Sequence, residues 1–148
     1  MSPAPRLRGD FPVLRTITTR WADEDVYGHV NNVVYYSYFD TAINGYLIDA
    51  TGTDIRTLAA VGIVAETGCQ FLRELRFPGD VDAGIAVERL GSTSIVYRIG
   101  LFQGETDEPA ALGRFVHVYV TAPSGSGDGR TTTAVPDVVR AAVEPLRR

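Results

Sequence analysis

The stretch 21-WADEDVYGHVNNVVYYSYFD-40 crowds Asp23, Asp25, His29, Asn31 and Asn32 together just before a long apolar and aromatic run. A helix start needs one capping side chain, which Asn31 or Asn32 can supply, and neighbouring acids favour its positive end. Five polar side chains around Gly28, a residue suited to a tight bend, exceed that need. The excess points to chemistry.

Several chemistries can be tested against these residues. Asp23, Asp25 and Gly28 match the D-x-D-x-x-G opening of a calcium loop, but Val34 stands where the bidentate Glu is required, and no helix precedes the segment. The sequence has 2 histidines, His29 and His117, too few for an ordinary zinc site, so no metal is expected. A nucleophilic serine would want a G-x-S-x-G elbow, which is absent, and Cys69 in GCQFL reads as a small hydrophobe within a strand. Carboxylate chemistry beside a helix N-terminus remains. Free N–H groups at a helix start can hold a developing oxyanion, while a nearby Asp attacks a carbonyl carbon or takes a proton from water. That is the layout of a thioester hydrolase, and it calls for no organic cofactor.

Composition excludes other classes. The 148 residues fit a single domain, 1–148, with a formal charge of -4 and dispersed basic residues that argue against nucleic acid. No apolar window approaches the roughly 18 residues of a membrane span, and the N-terminus lacks a signal-peptide core, so no membrane association is expected. A lone Cys69 gives no disulfide pair, and a reducing cytoplasm is the expected compartment. The one low-complexity piece is 124-SGSGDGRTTT-133, which reads as a loop.

The elements that must position the polar cluster follow from periodicity. The segment 13-VLRTITTRW-21 alternates and is rich in β-branched residues, which predicts a strand running into the acidic loop. From Val33 to about Ala50, bulky positions Val34, Tyr35, Tyr38, Phe39, Ala42, Ile43, Tyr46, Leu47 and Ala50 recur at helical spacing, with Gly52 as a stop. Ser37, Asp40, Thr41, Asn44 and Asp49 take the other side. So broad an apolar face needs a concave partner. Four β-rich runs can provide it, 62–75, 80–91, 93–104 and 111–122, separated by Gly, Pro and Asp signals. The final segment 136–148 starts with Pro and is amphipathic, predicting a helix packed on the outside. The expected fold is α+β, a curved antiparallel sheet around one long helix (core 13–122).

With those residues in view, 23-DEDVYGHVNNVVYYSYFD-40 resembles the D-x-D-x-x-G-x-V-x-x-x-x-Y-x-x-Y-F-[DE] signature of hotdog-fold acyl-CoA thioesterases, the 4-hydroxybenzoyl-CoA thioesterase-like group. The segments 71–82 and 87–102 extend the resemblance over nearly the whole chain. It implies a long helix wrapped by an antiparallel sheet, a homodimer or homotetramer, and an acyl-CoA substrate. It also implies that Asp25 is the catalytic carboxylate, that Asp23 is structural, and that the oxyanion donor is the backbone N–H of Asn32 or its neighbour Val33. His29 and Asn31 would orient water or the loop, and Tyr35 would line the thioester pocket or serve as core. Arg73, Arg76 and Arg114 are the residues that could meet CoA phosphates, since guanidinium suits that contact. Asp40 on the helix and Glu66 on the next strand stand as rival bases. The competing readings are a hotdog enoyl-thioester hydratase or dehydratase using Asp25 with His29, and a non-catalytic acyl-thioester binding domain.

Overall fold

The computed structural model describes residues 3–121 and 130–148. Residues 124–129 of the expected Gly/Ser/Thr loop, and Ala122 at the end of the last expected strand, lie outside them.

The chain runs β1 (Val13–Ile17), α1 (Asn32–Thr51), β2 (Ala60–Phe71), β3 (Val81–Leu90), β4 (Ser94–Phe102), β5 (Ala111–Thr121) and α2 (Asp137–Val143). The strands form one sheet in the order β1-β3-β4-β5-β2, antiparallel throughout. β1 is shorter than its alternation suggests because its partner runs out: Ile17 pairs with Val81, the first residue of β3. The chain then turns through a 3-10 segment, Trp21–Asp23, into the acidic loop.

α1 starts where Asn31 caps it and stops at Gly52, whose φ of 68° is left-handed and whose N–H reaches Ile48 O. Tyr35, Tyr38, Phe39, Ala42, Ile43 and Leu47 are buried, as the spacing predicts, whereas Ala50 in the last turn is exposed. The buried face meets the inner side of the sheet: Ala83, Ile85 and Val87 of β3, Ile95, Tyr97, Ile99 and Leu101 of β4, and Ala111, Phe115 and Tyr119 of β5. At Gly113 a Cβ would lie 2.5 Å from Phe39 Cζ, so the missing side chain lets the helix sit directly on β5.

Among the described residues β2 pairs with β5 on one side only, leaving its other edge free. Its register shifts between Val64 and Glu66. Gly62 and Val64 lie opposite inward-facing Tyr119 and His117, while beyond the shift Thr67, Cys69 and Phe71 lie opposite inward-facing Phe115, Gly113 and Ala111. The bulge thus turns Glu66 outward and Phe71 inward.

The C-terminal segment differs from expectation. Rather than packing on the outside, α2 and the 3-10 turn Glu144–Leu146 bury Val139, Val143 and Leu146 in the main core. Tyr46 of α1 donates its hydroxyl to Ala142 O at 2.6 Å, which fastens the two helices together. Pro145 supplies no N–H, and the α-helix is correspondingly short.

His117 occupies this interior at 3% exposure, its ring edge-on to Tyr97 and Phe115, with centroids 5.6 and 5.2 Å away. Burial pushes its pKa down to about 4, the Asp40 charge offsetting this only in part. The folded state therefore keeps it neutral where the unfolded chain takes a proton. Its contribution to stability is complete above the unfolded value near 6.5 and is lost as pH falls from there to about 4. The loss should reach about 3 kcal/mol. Urea unfolding at neutral and acidic pH should show the wild type losing that much more than His117→Phe; equal losses would contradict a buried neutral imidazole.

Candidate active site

The acidic loop is a small hairpin. Glu24 and Val30 bridge antiparallel, Asp25 N–H donates to His29 O at 3.0 Å, and Gly28 N–H closes the turn on Asp25 O at 3.2 Å. Gly28 sits at φ 83°, where an L side chain would be strained. Within the turn, Tyr27 N–H donates to Asp25 Oδ1 at 2.8 Å and fixes the carboxylate. Asp25 Oδ2 has no hydrogen-bond partner among the described residues.

Asp23 has a different environment. At 1% exposure it accepts from Arg20 N–H and Arg20 Nε, both at 2.9 Å, and from the Tyr38 hydroxyl at 2.7 Å. Burial pushes its carboxyl up, but the Tyr38 and Arg20 bonds outweigh this and hold it below the usual range. The Tyr38 hydroxyl is pushed well up, by burial and by Asp23. Asn31 N–H donates to Asp23 O at 2.9 Å, joining the loop to the start of the helix.

At that helix start, Asn31 Oδ1 accepts from Val33 N–H at 3.0 Å and Asn31 O from Val34 N–H at 2.9 Å. Asn32 N–H has no partner among the described residues. Both Asn32 and Asp25 line a cavity of about 310 Å³, together with His29, Val30, Tyr35, Phe71, Leu72, Arg73 and Glu74. Asp25 and Asn32, which carry a free carboxylate oxygen and a free helix-end N–H among the described residues, thus line one pocket.

The other residues of interest are placed as follows. Tyr35 is buried, its ring edge-on to Phe71 at 5.0 Å, and its hydroxyl accepts from Leu75 N–H at 3.2 Å, which ties the chain after β2 to the helix. His29 Nε2 lies 3.5 Å from Glu74 Oε1, and its ring stacks on Tyr27. Arg73 lines the cavity. Arg76 instead braces the loop, with Nη1 donating to Gly28 O at 2.9 Å and Nη2 to Glu74 Oε2 at 2.8 Å. Asn31 is not among the residues that line the pocket and serves as the cap of α1. Arg114 is not brought to this pocket: it sits on the outward face, paired with Glu66 at 2.7 Å and 3.6 Å from Glu88. Asp40 is exposed and accepts from Asn44 Nδ2 at 3.0 Å. Cys69 is half-buried, and burial pushes its thiol up to about 11, leaving it protonated at neutral pH. Phe71, Leu72 and Glu74 complete the wall without having stood out in the sequence. The inward placement of Phe71 depends on the bulge in β2, which no local residue pattern announces.

A long helix wrapped by a five-stranded antiparallel sheet, with a polar loop at the helix N-terminus, is the hotdog fold. The profile of the thioesterase superfamily matches residues 27–110, and the chain belongs to that family. It is 41% identical to the PA5185 protein of Pseudomonas aeruginosa strain PAO1, with a TM-score of 0.88 over 97% of each chain. The PA2801 protein of Pseudomonas aeruginosa is 29% identical, with a TM-score of 0.77 over 88% of this chain and 96% of its own. A thioesterase from Thermus thermophilus, solved with coenzyme A and zinc, is 25% identical, with a TM-score of 0.70 over 90% of this chain and 98% of its own. No helix among the described residues is long and apolar enough to cross a membrane.

Proposed function

We propose that the protein is a cytoplasmic acyl-CoA thioesterase that hydrolyses a fatty or aromatic acyl-CoA to the free acid and CoA, with the whole chain acting as one catalytic unit. One observation carries this reading: Asp25, with a free carboxylate oxygen, and Asn32, with a free first-turn N–H, line the same cavity. The thioester carbonyl oxygen would accept from Asn32 N–H, where the positive end of α1 favours the developing negative charge. Val33 N–H is less suited, being already held by Asn31. Asp25 would take a proton from the attacking water, or attack the carbonyl carbon itself; collapse of the tetrahedral intermediate would expel the CoA thiolate, and in the second case water would then hydrolyse the acyl-Asp25 anhydride to the free acid and restore the carboxylate. Tyr35, Phe71 and Leu72 offer apolar wall to the acyl group. Arg73, and Arg76 beside it, are the cations closest in sequence to meet phosphate, and Glu74 would hold His29 to orient water.

His29 is paired with Glu74 rather than with Asp25, which favours hydrolysis over the acid-histidine chemistry of a hydratase. Release of free thiol from a panel of acyl-CoAs tests the proposal. Hydration of crotonyl-CoA without thiol release would support the hydratase, and binding with neither reaction would support a non-catalytic acyl-thioester binding domain.

The free edge of β2 supports a homodimer or homotetramer. Ile63 and Val64 on that strand and Val33 on α1 are exposed, and an edge of this kind pairs readily with a second copy. Light scattering at micromolar concentration should give at least twice the 16.1 kDa chain mass. A stable monomer would refute the assembly.

A further inference from the structure

A second cavity, about 100 Å³, lies at the other end of α1, on the helix side of the sheet. Its walls include Leu47, Ala60, Gly62 and Tyr119, with Asn44 at the helix and His117 within. His117 is 3% exposed, yet its Nδ1 has no hydrogen-bond partner among the described residues, an arrangement that is costly unless something else supplies the bond. A Cβ on Gly62 would stand 3.0 Å from the Tyr119 ring and 3.2 Å from His117 Nδ1. The absence of a side chain there is what leaves space beside the imidazole. Arg56, which also lines the cavity, is already held by Asp54 at 2.9 Å, so among the described residues the cavity offers no free cation.

Within one subunit this cavity and the Asp25 pocket lie apart, the first at the start of β2 (Ala60) and the second at its end (Phe71). Pairing of β2 with its own copy changes that. An antiparallel self-pairing about the strand centre sets Phe71 of one subunit beside Ala60 of the other. Both hollows lie on the helix side of the sheet, so such a pairing would bring the Asp25 pocket of each subunit toward the His117 cavity of its partner.

We infer that the His117 cavity of one subunit receives the far end of the acyl group held at Asp25 of the other, and selects acyl groups that end in a neutral hydrogen-bonding group such as a hydroxyl. The inference rests on the thioesterase and dimer readings above. His117, kept neutral by burial, has one donor and one acceptor nitrogen, and a hydroxyl can serve either. A charged tip would have no countercharge here.

Matched acyl-CoAs of equal chain length, with and without a terminal hydroxyl, test the idea. The hydroxylated member should be preferred about tenfold in kcat/KM, the worth of one buried hydrogen bond. His117→Phe should bring that ratio to about one, and Gly62→Ala, which crowds the imidazole, should lower it as well. Heterodimers separate the subunits. With Asp25→Asn on one chain and His117→Phe on the other, the working Asp25 faces an intact partner His117, and the preference should persist. With both substitutions on one chain it should vanish. Thiol release with no hydroxyl preference, or loss of preference in the first heterodimer and not the second, would overturn this inference and leave the thioesterase reading standing. No thiol release from any acyl-CoA would overturn both.

Discussion

Asp25→Asn is expected to lower acyl-CoA turnover by at least about a hundredfold, the low end for loss of an acid–base group and equivalent to about 2.7 kcal/mol of barrier. The substitution keeps the size of the side chain and an oxygen that can accept from Tyr27 N–H. The backbone bonds that close the hairpin, Asp25 N–H to His29 O and Gly28 N–H to Asp25 O, do not involve the side chain. Folding and assembly should therefore survive while both nucleophile and base are removed. Asp40→Asn and Glu66→Gln should change the rate little, since Asp40 is exposed on the helix and Glu66 is paired with Arg114 on the outward face. Asp23→Asn belongs to another class: it removes charge from a buried carboxylate bound by Tyr38 and Arg20, and its first effect should be on stability. If either Asp40→Asn or Glu66→Gln abolished thiol release and Asp25→Asn did not, the base would lie on α1 or β2.

Phe39→Ala should cost about 3 to 5 kcal/mol, the range for deleting a buried aromatic ring. Phe39 is 0% exposed, lies edge-on to Tyr36 at 5.9 Å, and fills the space that Gly113 leaves open on β5. The cavity would open between helix and sheet, where neither partner can close in without unseating the whole α1 face. Urea unfolding measures this directly, and a cost below about 1 kcal/mol would show that Phe39 does not sit at that contact.

The helix could be read from the sequence because its cap, its recurring pairs such as Tyr38–Phe39 and Ala42–Ile43, and its Gly52 stop are all local signals. The strands were legible as runs, but not their ends or faces. β1 ends where β3 begins, which depends on pairing between residues far apart in the chain. The bulge near Glu66 decides which of Glu66 and Phe71 looks inward, and it is settled by register against β5. Amphipathic spacing in the last segment shows an apolar face but not its partner, so it predicts a helix on the outside, whereas α2 packs against α1. The polar loop was conspicuous in the sequence because its composition is local. What needed the fold was the division of labour within it. Choosing Asn31 as cap removes Val33 N–H and leaves Asn32 N–H free. The three arginines looked alike in sequence, yet one lines the cavity, one braces Gly28, and one is engaged by Glu66.

The most direct test of the assignment of chemistry to the Asp25 loop and the start of α1 is equilibrium binding of an acyl-CoA to folded Asp25→Asn protein, with thiol release followed in the same sample. The expected result is binding close to that of the wild type with the thioester left intact. Release of CoA at the wild-type rate from that bound substrate would contradict the account.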